Sequence, residues 1–340
     1  MKNKWFKSIL LLASLSFLIP LTSCKISMLV DDDNSKTKIE VREDETYDVP
    51  VPVEKGDYTV TFILNNGYVY QSVTTAENKV LRPENPKKEY ASFIGWAINL
   101  DYQELFNFNN KITSNIVLYA KYSYDYISLF NKASSDVVTS NIRVELWKEG
   151  SSDNKPRTLG SGVVVHESNN YYYCLTNNHV VYDSDNNTFI KIIDAYNNEY
   201  EGIVTCKDAT YDLALIRINK KHTLRVSKIA EYQVYKNELV FAIGEPYGLS
   251  NTVTTGYLLG KRTNIPSEST INQSNITFDI YYSSAPINSG SSGGGLYDSC
   301  LNLIGINFAS CVNEDNEFVS SETIPSPEVL EFLRKYTNFF

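Results

Sequence analysis

The chain has 340 residues, of which 42% are apolar and 21% are charged, so it is long enough for two domains with a sizeable core. Its net charge of −9, and the lack of a cluster of Lys and Arg, exclude a phosphate-binding surface, so nucleic acid is not expected as a partner. The 25 tyrosines and the recurring Asn-rich turns favour a β-rich protein that is exposed at a surface.

The N-terminal residues 1–23 have the pattern of an export signal. Lysines precede the apolar run SILLLASLSFLIPL, which is too short to span a bilayer. The run ends in LTSC, and this motif resembles the lipobox of bacterial lipoproteins. The resemblance implies cleavage before Cys24, acylation of the Cys24 thiol, and a protein attached to the membrane by lipid on its extracellular side.

Residues 24–57 are polar and acidic, with DDDNSK followed by EVREDETYDVPVPVEKG. The segment contains too little apolar surface to offset the entropy of ordering the chain. We therefore expect it to be a tether between the membrane and the folded part of the protein.

Residues 58–122 form a compact unit, in which the alternating strand YTVTFIL, the turn NNG and the closing strand IVLYAKY follow one another. Together with the F-x-G-W motif, this order resembles the internalin-type B-repeat of bacterial surface proteins, a small β-grasp-like module. Trp96 is expected to be a buried core residue rather than a ligand-stacking one. The resemblance implies a spacer or a contact surface without chemistry of its own.

Residues 123–340 begin with a short helix in YISLFNKASSDVV. Short apolar strands separated by Asn, Asp and Gly turns follow it and predict an all-β sandwich or barrel. The five cysteines contain no C-x-x-C pair, so neither a zinc site nor another metal site is predicted. The run LIGINFAS separates Cys300 from Cys311 by about 25 Å if it is extended, which excludes a disulfide between them, and four of the five cysteines are expected in a reduced core.

Three residue types that serve nucleophilic catalysis occur in separate motifs. His179 ends the apolar stretch YYYCLTNNHVV, whereas His166 and His222 are expected to be solvated. Asp212 precedes the apolar run LALIRI, where a buried carboxylate needs a partner such as an imidazole N–H. Ser292 lies in INSGSSGGGL, whose composition is that of a linker but whose glycines also permit a tight catalytic loop.

The order His, Asp, Ser is that of the chymotrypsin-like fold. Residues 137–335 resemble the protease domain of the HtrA/DegP family in the motifs GSGVVV, LTNNHVV, DLALIRI, AIGEPYGLSNTVTTGYL, INSGSSGGGL and LIGINF, in this order. The resemblance implies a double six-stranded β-barrel in which His179 is the general base, Asp212 orients it and Ser292 is the nucleophile. The backbone amides of Gly290 and Ser292 would form the oxyanion hole.

The chain departs from the family pattern at two positions of this loop. Ser291 replaces the usual Asn before the nucleophile, and Gly295 replaces the common Pro, which makes a rigid, preformed loop less certain from sequence. After Ser292 we expect the last strands and a terminal helix in SPEVLEFLRKY, and no PDZ domain. The oligomeric state stays open, with the trimer of the family as one option.

The sequence therefore predicts a lipid-anchored, extracytoplasmic serine endopeptidase that cleaves polypeptides without a cofactor, in a role such as the quality control of surface proteins. Two alternatives remain. One is a catalytically silent surface protein that binds or adheres to a partner. The other is a glutamyl endopeptidase with the same mechanism, which cuts after Glu. The expected pocket walls, SSAPIN and residues 307–310, contain no Asp, so a preference for Lys or Arg is not expected, and small or medium apolar side chains are favoured.

Overall fold

The structure is a computed structural model. It describes residues 36–39, 47–50, 58–64, 69–73, 78–150, 152, 155–185, 187–264 and 273–339. The predicted signal of residues 1–23 and the predicted acylation at Cys24 lie outside the described residues. Within the predicted tether, β1 (Lys36–Ile39) and β2 (Tyr47–Pro50) pair as a two-stranded antiparallel sheet.

The segment that resembles a B-repeat folds as a four-stranded sheet with strands in the order β4-β3-β6-β5. Its strands are β3 (Thr59–Ile63), β4 (Val69–Val73), β5 (Ala91–Ala97) and β6 (Ile116–Tyr124). The central strands β3 and β6 are parallel, and the other pairs are antiparallel. Trp96 is 1% exposed and packs edge-on against Phe62, which confirms its predicted place in the small core.

A short helix connects this sheet to the barrels. Helix α1 (Tyr126–Ser135) begins at Asp125, whose carboxylate accepts a hydrogen bond from the backbone N–H of Ser128 and thereby satisfies one of the free donors of the first turn. Leu129 and Ala133 are the buried residues of the helix, and a single turn of 3₁₀ helix, Val137–Ser140, leads into the first barrel.

The first barrel closes through six antiparallel strands in the order β10-β11-β12-β9-β8-β7. They are β7 (Asn141–Lys148), β8 (Thr158–Glu167), β9 (Tyr171–Thr176), β10 (Thr188–Asp194), β11 (Glu199–Asp208) and β12 (Leu213–Asn219). Apolar side chains fill its interior, among them Ile142, Val144, Val164, Cys174 and Ile216. The run LALIRI is buried on both faces because one face points into this barrel and the other towards the second.

The second barrel closes in the order β13-β14-β15-β18-β17-β16. Its strands are β13 (Leu239–Gly244), β14 (Thr252–Thr263), β15 (Asp279–Ser283), β16 (Gly295–Tyr297), β17 (Leu303–Val312) and β18 (Phe318–Pro325). The predicted terminal helix is α2 (Ser326–Tyr336), and its Val329 and Phe332 pack into the core between the barrels. The two closed six-stranded barrels confirm the predicted fold class.

The repeat segment lies against the second barrel through a buried polar contact. The Lys88 ammonium is 3.3 Å from the Glu238 carboxylate, and the two side chains are 7% and 3% exposed. The Tyr124 hydroxyl also donates to Glu238, at 3.2 Å, and the rings of Tyr119 and Tyr235 meet edge to face. The two parts of the chain are therefore joined by an ion pair that water reaches only poorly.

The four cysteines of the described residues are free thiols, but only Cys174 is buried. Cys206 is half-buried and packs against the core between the barrels. The expectation of a core position was wrong for Cys300 and Cys311, which are half-buried because they lie in the turn after β16 and near the end of β17. Within the described ranges, no three His, Cys, Asp or Glu side chains form a group that could hold a metal ion. Neither described helix has the length and apolar character needed to cross a membrane.

Candidate active site

His179 lies in the turn that follows β9, on the side of the first barrel that faces the second. The Asn178 backbone N–H and the Asn177 side-chain amide both donate to the carbonyl oxygen of Asp212, at 3.1 and 2.9 Å. These bonds tie the turn to the segment that precedes β12. The His179 side chain is 25% exposed, so one edge of the imidazole remains accessible to a substrate.

Asp212 is fully buried and is bonded to His179 twice. Its Oδ2 lies 2.8 Å from His179 Nδ1, and its Oδ1 accepts the His179 backbone N–H at 2.9 Å. Because an ionised carboxylate only accepts, Nδ1 carries the proton and Nε2 has a free lone pair. Asp212 has a φ of +50°, a conformation that Asp tolerates better than most residues. The structure thus brings together the predicted base and the predicted orienting residue.

Ser292 lies in the loop between β15 and β16, next to the His179 turn. A Cβ added at Gly160 would lie 2.7 Å from the side chain of Val180, the neighbour of His179, and 3.1 Å from the carbonyl oxygen of Ser292. The Ser292 hydroxyl donates to the carbonyl of Phe308 at 3.2 Å. No hydrogen bond joins it to His179 in the part of the chain that the structure describes, and such bonds often tighten only when substrate binds.

The backbone amides of this loop divide into two groups. The N–H groups of Ser291, Gly293 and Gly294 donate to Asn288, Asn307 and Ser291 at 2.8 to 2.9 Å. Those of Gly290 and Ser292 donate to no acceptor among the described residues. Among residues 290–294, the two amides predicted to bind an oxyanion are therefore the two that have no acceptor, and an oxyanion hole requires such unpaired donors.

Two glycines of the loop cannot be replaced without conflict. Gly290 has a φ of +96°, and a Cβ there would lie 2.6 Å from the carbonyl oxygen of Glu245. Gly293 has a φ of +89°, and a Cβ there would lie 2.0 Å from the carbonyl oxygen of Ser161. The glycines therefore serve close approach and left-handed backbone, as expected, and the stretch is not a linker.

The two departures from the family pattern have local partners. Ser291 is buried, and its hydroxyl accepts the backbone N–H of Asn288 at 3.3 Å. At Gly295 an added Cβ would lie 2.5 Å from the ring of Tyr297, so the space of a side chain is already filled by this buried tyrosine. The loop is thus packed and hydrogen-bonded without the usual Asn and Pro.

Sequence reasoning missed the role of Ser161, which is fully buried in β8. Its Oγ donates to the carbonyl of Gly290 at 2.7 Å and accepts the backbone N–H of Glu245 at 2.8 Å. Its own backbone N–H donates to the carbonyl of Ser292 at 2.7 Å. The first barrel therefore fixes, through one serine, two carbonyl groups of the loop between β15 and β16, residues 284–294, which we call the nucleophile loop. The only sequence signal for this role is a polar residue between glycines in GSGVVV.

Asn307, expected in the wall of the specificity pocket, has a different role. It is fully buried, its Nδ2 donates to the carbonyl of Gly295 at 3.2 Å, and its Oδ1 accepts from the Thr323 hydroxyl at 2.8 Å. Its backbone also exchanges hydrogen bonds with Gly293 and Gly294. Both ends of the side chain are engaged, one with the start of β16 and the other with β18, so Asn307 is not available to contact a substrate side chain.

A buried carboxylate, Glu245, lies behind the nucleophile loop. Burial raises the pKa of its carboxyl, while the hydrogen bond from the backbone of Asn251, the nearby Arg143 guanidinium and the hydrogen bond from Asn141 lower that pKa. The sequence motif AIGEPYG was recognised, but it gave no reason to single out this residue.

Of the other two histidines, His222 is exposed, as expected. His166 is not fully solvated, because its ring stacks on Phe339 with the ring centroids 4.0 Å apart, and burial lowers its pKa. Neither residue contacts His179, Asp212 or Ser292 in the described part of the chain.

Two segments of the chain match known protein families. Residues 160–306 match the trypsin-like peptidase domain family, and residues 58–121 match the Listeria-Bacteroides repeat domain family. The serine protease Do-like HtrA of Lactobacillus helveticus is 31% identical over 217 residues, which are 62% of this chain and 48% of that protein. The periplasmic serine endoprotease DegP of Escherichia coli K12 is 34% identical over 180 residues, 52% of this chain and 35% of that one.

Among solved structures, the serine endoprotease from Yersinia pestis is 28% identical, with a TM-score of 0.48, and the match covers 61% of this chain and 66% of that one. The chain spans about a third to a half of the length of the two relatives named above. Residues 160–306 thus match a trypsin-like peptidase domain, and over 52–62% of its length the chain is similar to HtrA/DegP serine endoproteases.

Proposed function

We propose that this chain is a serine endopeptidase that hydrolyses peptide bonds of polypeptides through His179, Asp212 and Ser292. The observation that carries the proposal is the double hydrogen bond between Asp212 and His179 beside a serine loop with two unpaired backbone amides. Both relatives named above are serine proteases or endoproteases, which supports the same reaction class.

In this mechanism Ser292 Oγ attacks the carbonyl carbon of the scissile bond while His179 Nε2 accepts its proton. Asp212 keeps the imidazole in the tautomer that leaves Nε2 free and stabilises the imidazolium that forms. The imidazolium then protonates the leaving amine. In the second half of the reaction a water molecule attacks the acyl-enzyme, His179 accepts the proton of the water, and Ser292 leaves with that proton.

The amides of Gly290 and Ser292 would bind the oxyanion of each tetrahedral intermediate, and a donor of this kind contributes on the order of 3 kcal/mol. The fully buried Asp212 is compatible with this chemistry because both of its oxygens are hydrogen-bonded to His179, and its charge is paired whenever the imidazolium forms. In this mechanism His179 accepts or donates the proton in every step.

For location, we propose that the protein faces the outside of the cytoplasmic membrane and is held there by lipid on Cys24. The support is the LTSC motif after an apolar run, together with the similarity to the Escherichia coli relative, which is a periplasmic protein. A single acyl chain gives only marginal binding, since each buried methylene contributes about 0.8 kcal/mol, so stable attachment requires more than one chain. Quality control of surface proteins would fit this location.

The test of the activity is labelling of the full chain, purified in detergent, by a fluorophosphonate serine probe. Wild type is compared with Ser292→Ala and His179→Ala, and with the control variants Ser134→Ala and His222→Ala at exposed positions. The proposal predicts labelling in wild type and both controls and none in the first two variants. If folded wild type is not labelled, the silent binding protein becomes the better reading.

Two further measurements address the remaining choices. A profile of the bonds cleaved in a peptide library separates a general endopeptidase from a glutamyl endopeptidase, which would cut after Glu. Metabolic labelling with radioactive palmitate, compared between wild type and Cys24→Ser, tests the lipid attachment, and equal labelling of both would overturn it.

A further inference from the structure

The turn between β13 and β14, residues 245–251, contacts the nucleophile loop. The backbone N–H of Tyr247 donates to the carbonyl oxygen of Ser289 at 2.7 Å. That carbonyl belongs to the same peptide group as the N–H of Gly290, and in a trans peptide the two groups point in opposite directions. The bond from Tyr247 therefore sets the direction of the Gly290 N–H, one of the two proposed oxyanion donors.

The turn is closed by the carboxylate of Glu245. Its Oε1 accepts the backbone N–H of Asn251 at 2.9 Å, which joins the two ends of the segment between β13 and β14. The same oxygen accepts Nδ2 of Asn141 at 2.8 Å, and Asn141 is the first residue of β7 in the other barrel. Glu245 is 3% exposed, so water competes little for these bonds.

The turn has a backbone that needs external support. Tyr247 has a φ of +55°, a left-handed conformation that costs a bulky residue on the order of 1 kcal/mol or more. Its side chain is exposed and supplies no packing that would hold this conformation. Support comes from Gly248 instead, whose N–H donates to the Glu245 carbonyl at 2.9 Å and whose carbonyl accepts from the Arg143 guanidinium at 3.3 Å.

The carbonyl of Glu245 also limits the position of Gly290 directly. A Cβ at Gly290 would lie 2.6 Å from that oxygen and 3.1 Å from the Tyr247 nitrogen, so the two segments are in close contact. Displacement of the turn would leave the Ser289 carbonyl without its donor, and the peptide group between Ser289 and Gly290 would be free to rotate.

We propose that Glu245 is a positioning residue for the oxyanion hole, which acts through the Tyr247 N–H on the peptide group between Ser289 and Gly290. The inference rests on the proposed serine endopeptidase activity. It assigns to a buried carboxylate outside the triad the task of keeping one oxyanion donor directed at the substrate. Since oxyanion contacts form in the transition state, loss of this support lowers kcat and leaves KM nearly unchanged.

The kinetic test uses three variants of the full chain with unfolded casein as substrate. In Glu245→Ala both hydrogen bonds to Oε1 are lost. We expect kcat to fall by about 10- to 1,000-fold, where the upper value corresponds to complete loss of one oxyanion donor. KM should stay within about twofold of the wild-type value. Glu245→Gln keeps an oxygen that accepts from both Asn141 and Asn251, so it should retain most of the activity. Glu314→Ala, at an exposed position of the β17–β18 hairpin, is the control.

If Glu245 had only a structural role, Glu245→Ala would change the thermal unfolding and the KM together with kcat. Glu245→Gln would then have the same kinetics as Glu245→Ala. Either result overturns the proposal. If Glu245→Ala does not fold, Asn141→Ala, which removes one of the two donors, replaces it with a smaller expected fall in kcat.

A second measurement does not depend on activity. In protein labelled with ¹⁵N-glycine, the amide signal of Gly290 should shift or broaden in Glu245→Ala and stay in place in Glu245→Gln, with Gly290→Ala serving for assignment. An unchanged Gly290 signal in Glu245→Ala would refute the inference even in an active enzyme. If wild type is not labelled by the fluorophosphonate probe but the signal shifts, the proposed function fails while the structural coupling stands.

Discussion

Asp212 and His179 share two hydrogen bonds, one through the imidazole Nδ1 at 2.8 Å and one through the backbone N–H of His179 at 2.9 Å. Each carboxylate oxygen therefore has its own partner on the same residue. The backbone bond fixes where the His179 turn lies, and the side-chain bond fixes how the ring is rotated and which nitrogen is protonated. The pair defines a base that is oriented before any substrate arrives.

We expect Asp212→Asn to lower kcat by about 10⁴-fold and leave the fold intact. The amide oxygen can still accept one of the two bonds, but the NH₂ group facing Nδ1 would favour the tautomer in which Nε2 is protonated and cannot act as a base. Single-turnover hydrolysis of casein and the rate of fluorophosphonate labelling measure the effect. Activity within tenfold of wild type would show that Asp212 does not orient His179.

Much of this arrangement was readable from the sequence because the relevant signals are local. Short apolar strands predicted an all-β sandwich or barrel. The motifs around His179, Asp212 and Ser292, and their order, carried the family resemblance that implied two barrels and a shared site. The supporting contacts were not readable, since Ser161 and Glu245 bond to residues 129 and 104 positions away in the chain, and the Asn307 bonds depend on how β16, β17 and β18 pair. A buried polar residue within an apolar strand is the only hint of such a role, and its partner depends on barrel closure.

Gly290→Ala is predicted to inactivate the enzyme through the oxyanion hole. The new Cβ would meet the Glu245 carbonyl at 2.6 Å, and alanine at a φ of +96° is strained in any case, so the loop must shift. We expect kcat to fall by at least about 100-fold.

Gly150→Ala is the matched control for this substitution. Gly150 also has a positive φ, +69°, but nothing lies within 4 Å of its missing Cβ, so the variant carries the backbone strain without the collision. Casein hydrolysis and thermal unfolding are measured for both. Equal loss of activity in the two variants would mean that strain alone, rather than the loop contact, limits catalysis.

Lys88→Met is predicted to destabilise the protein by about 3–5 kcal/mol, because it leaves the Glu238 carboxylate buried without its cation. The exposed pair Lys220–Glu167 provides the comparison, and Lys220→Met should cost far less stability, because water screens an exposed ion pair. Urea unfolding gives both values. The double variant Lys88→Met, Glu238→Gln should regain part of the loss, since it removes the uncompensated charge, and absence of any recovery would argue against a coupled pair.

The last prediction concerns Asp298, which directly follows β16 and is 2% exposed. Its Oδ1 accepts the backbone N–H groups of Cys300 and Asn302 at 2.9 and 3.0 Å, and its Oδ2 accepts from the Tyr232 hydroxyl. Burial raises the pKa of Asp298 to about 6, with a further rise from the nearby Glu238 carboxylate. In the unfolded chain an Asp has a pKa of about 3.9.

At pH values between these two pKa values, Asp298 is protonated to a larger extent in the folded protein than in the unfolded chain. The stabilising contribution is therefore complete below about pH 4 and is lost as the pH rises through about 6, for a total on the order of 3 kcal/mol. Asp298→Asn keeps the acceptor for both backbone N–H groups and removes this titration. We expect the free energy of unfolding of the variant, relative to wild type, to rise between pH 4 and pH 7.

Urea unfolding of wild type and Asp298→Asn at pH 4, 5, 6 and 7 measures this difference directly. Asp315→Asn, at an exposed position in the β17–β18 hairpin, is the control and should follow the wild-type curve. The titration of carboxylates that do not interact with Asp298 is common to all three proteins and cancels in the comparison, whereas the coupled titration of Glu238 is part of the measured difference. Parallel curves for wild type and Asp298→Asn would mean that Asp298 has the same proton affinity folded and unfolded, so that the three hydrogen bonds to its carboxylate compensate fully for its burial.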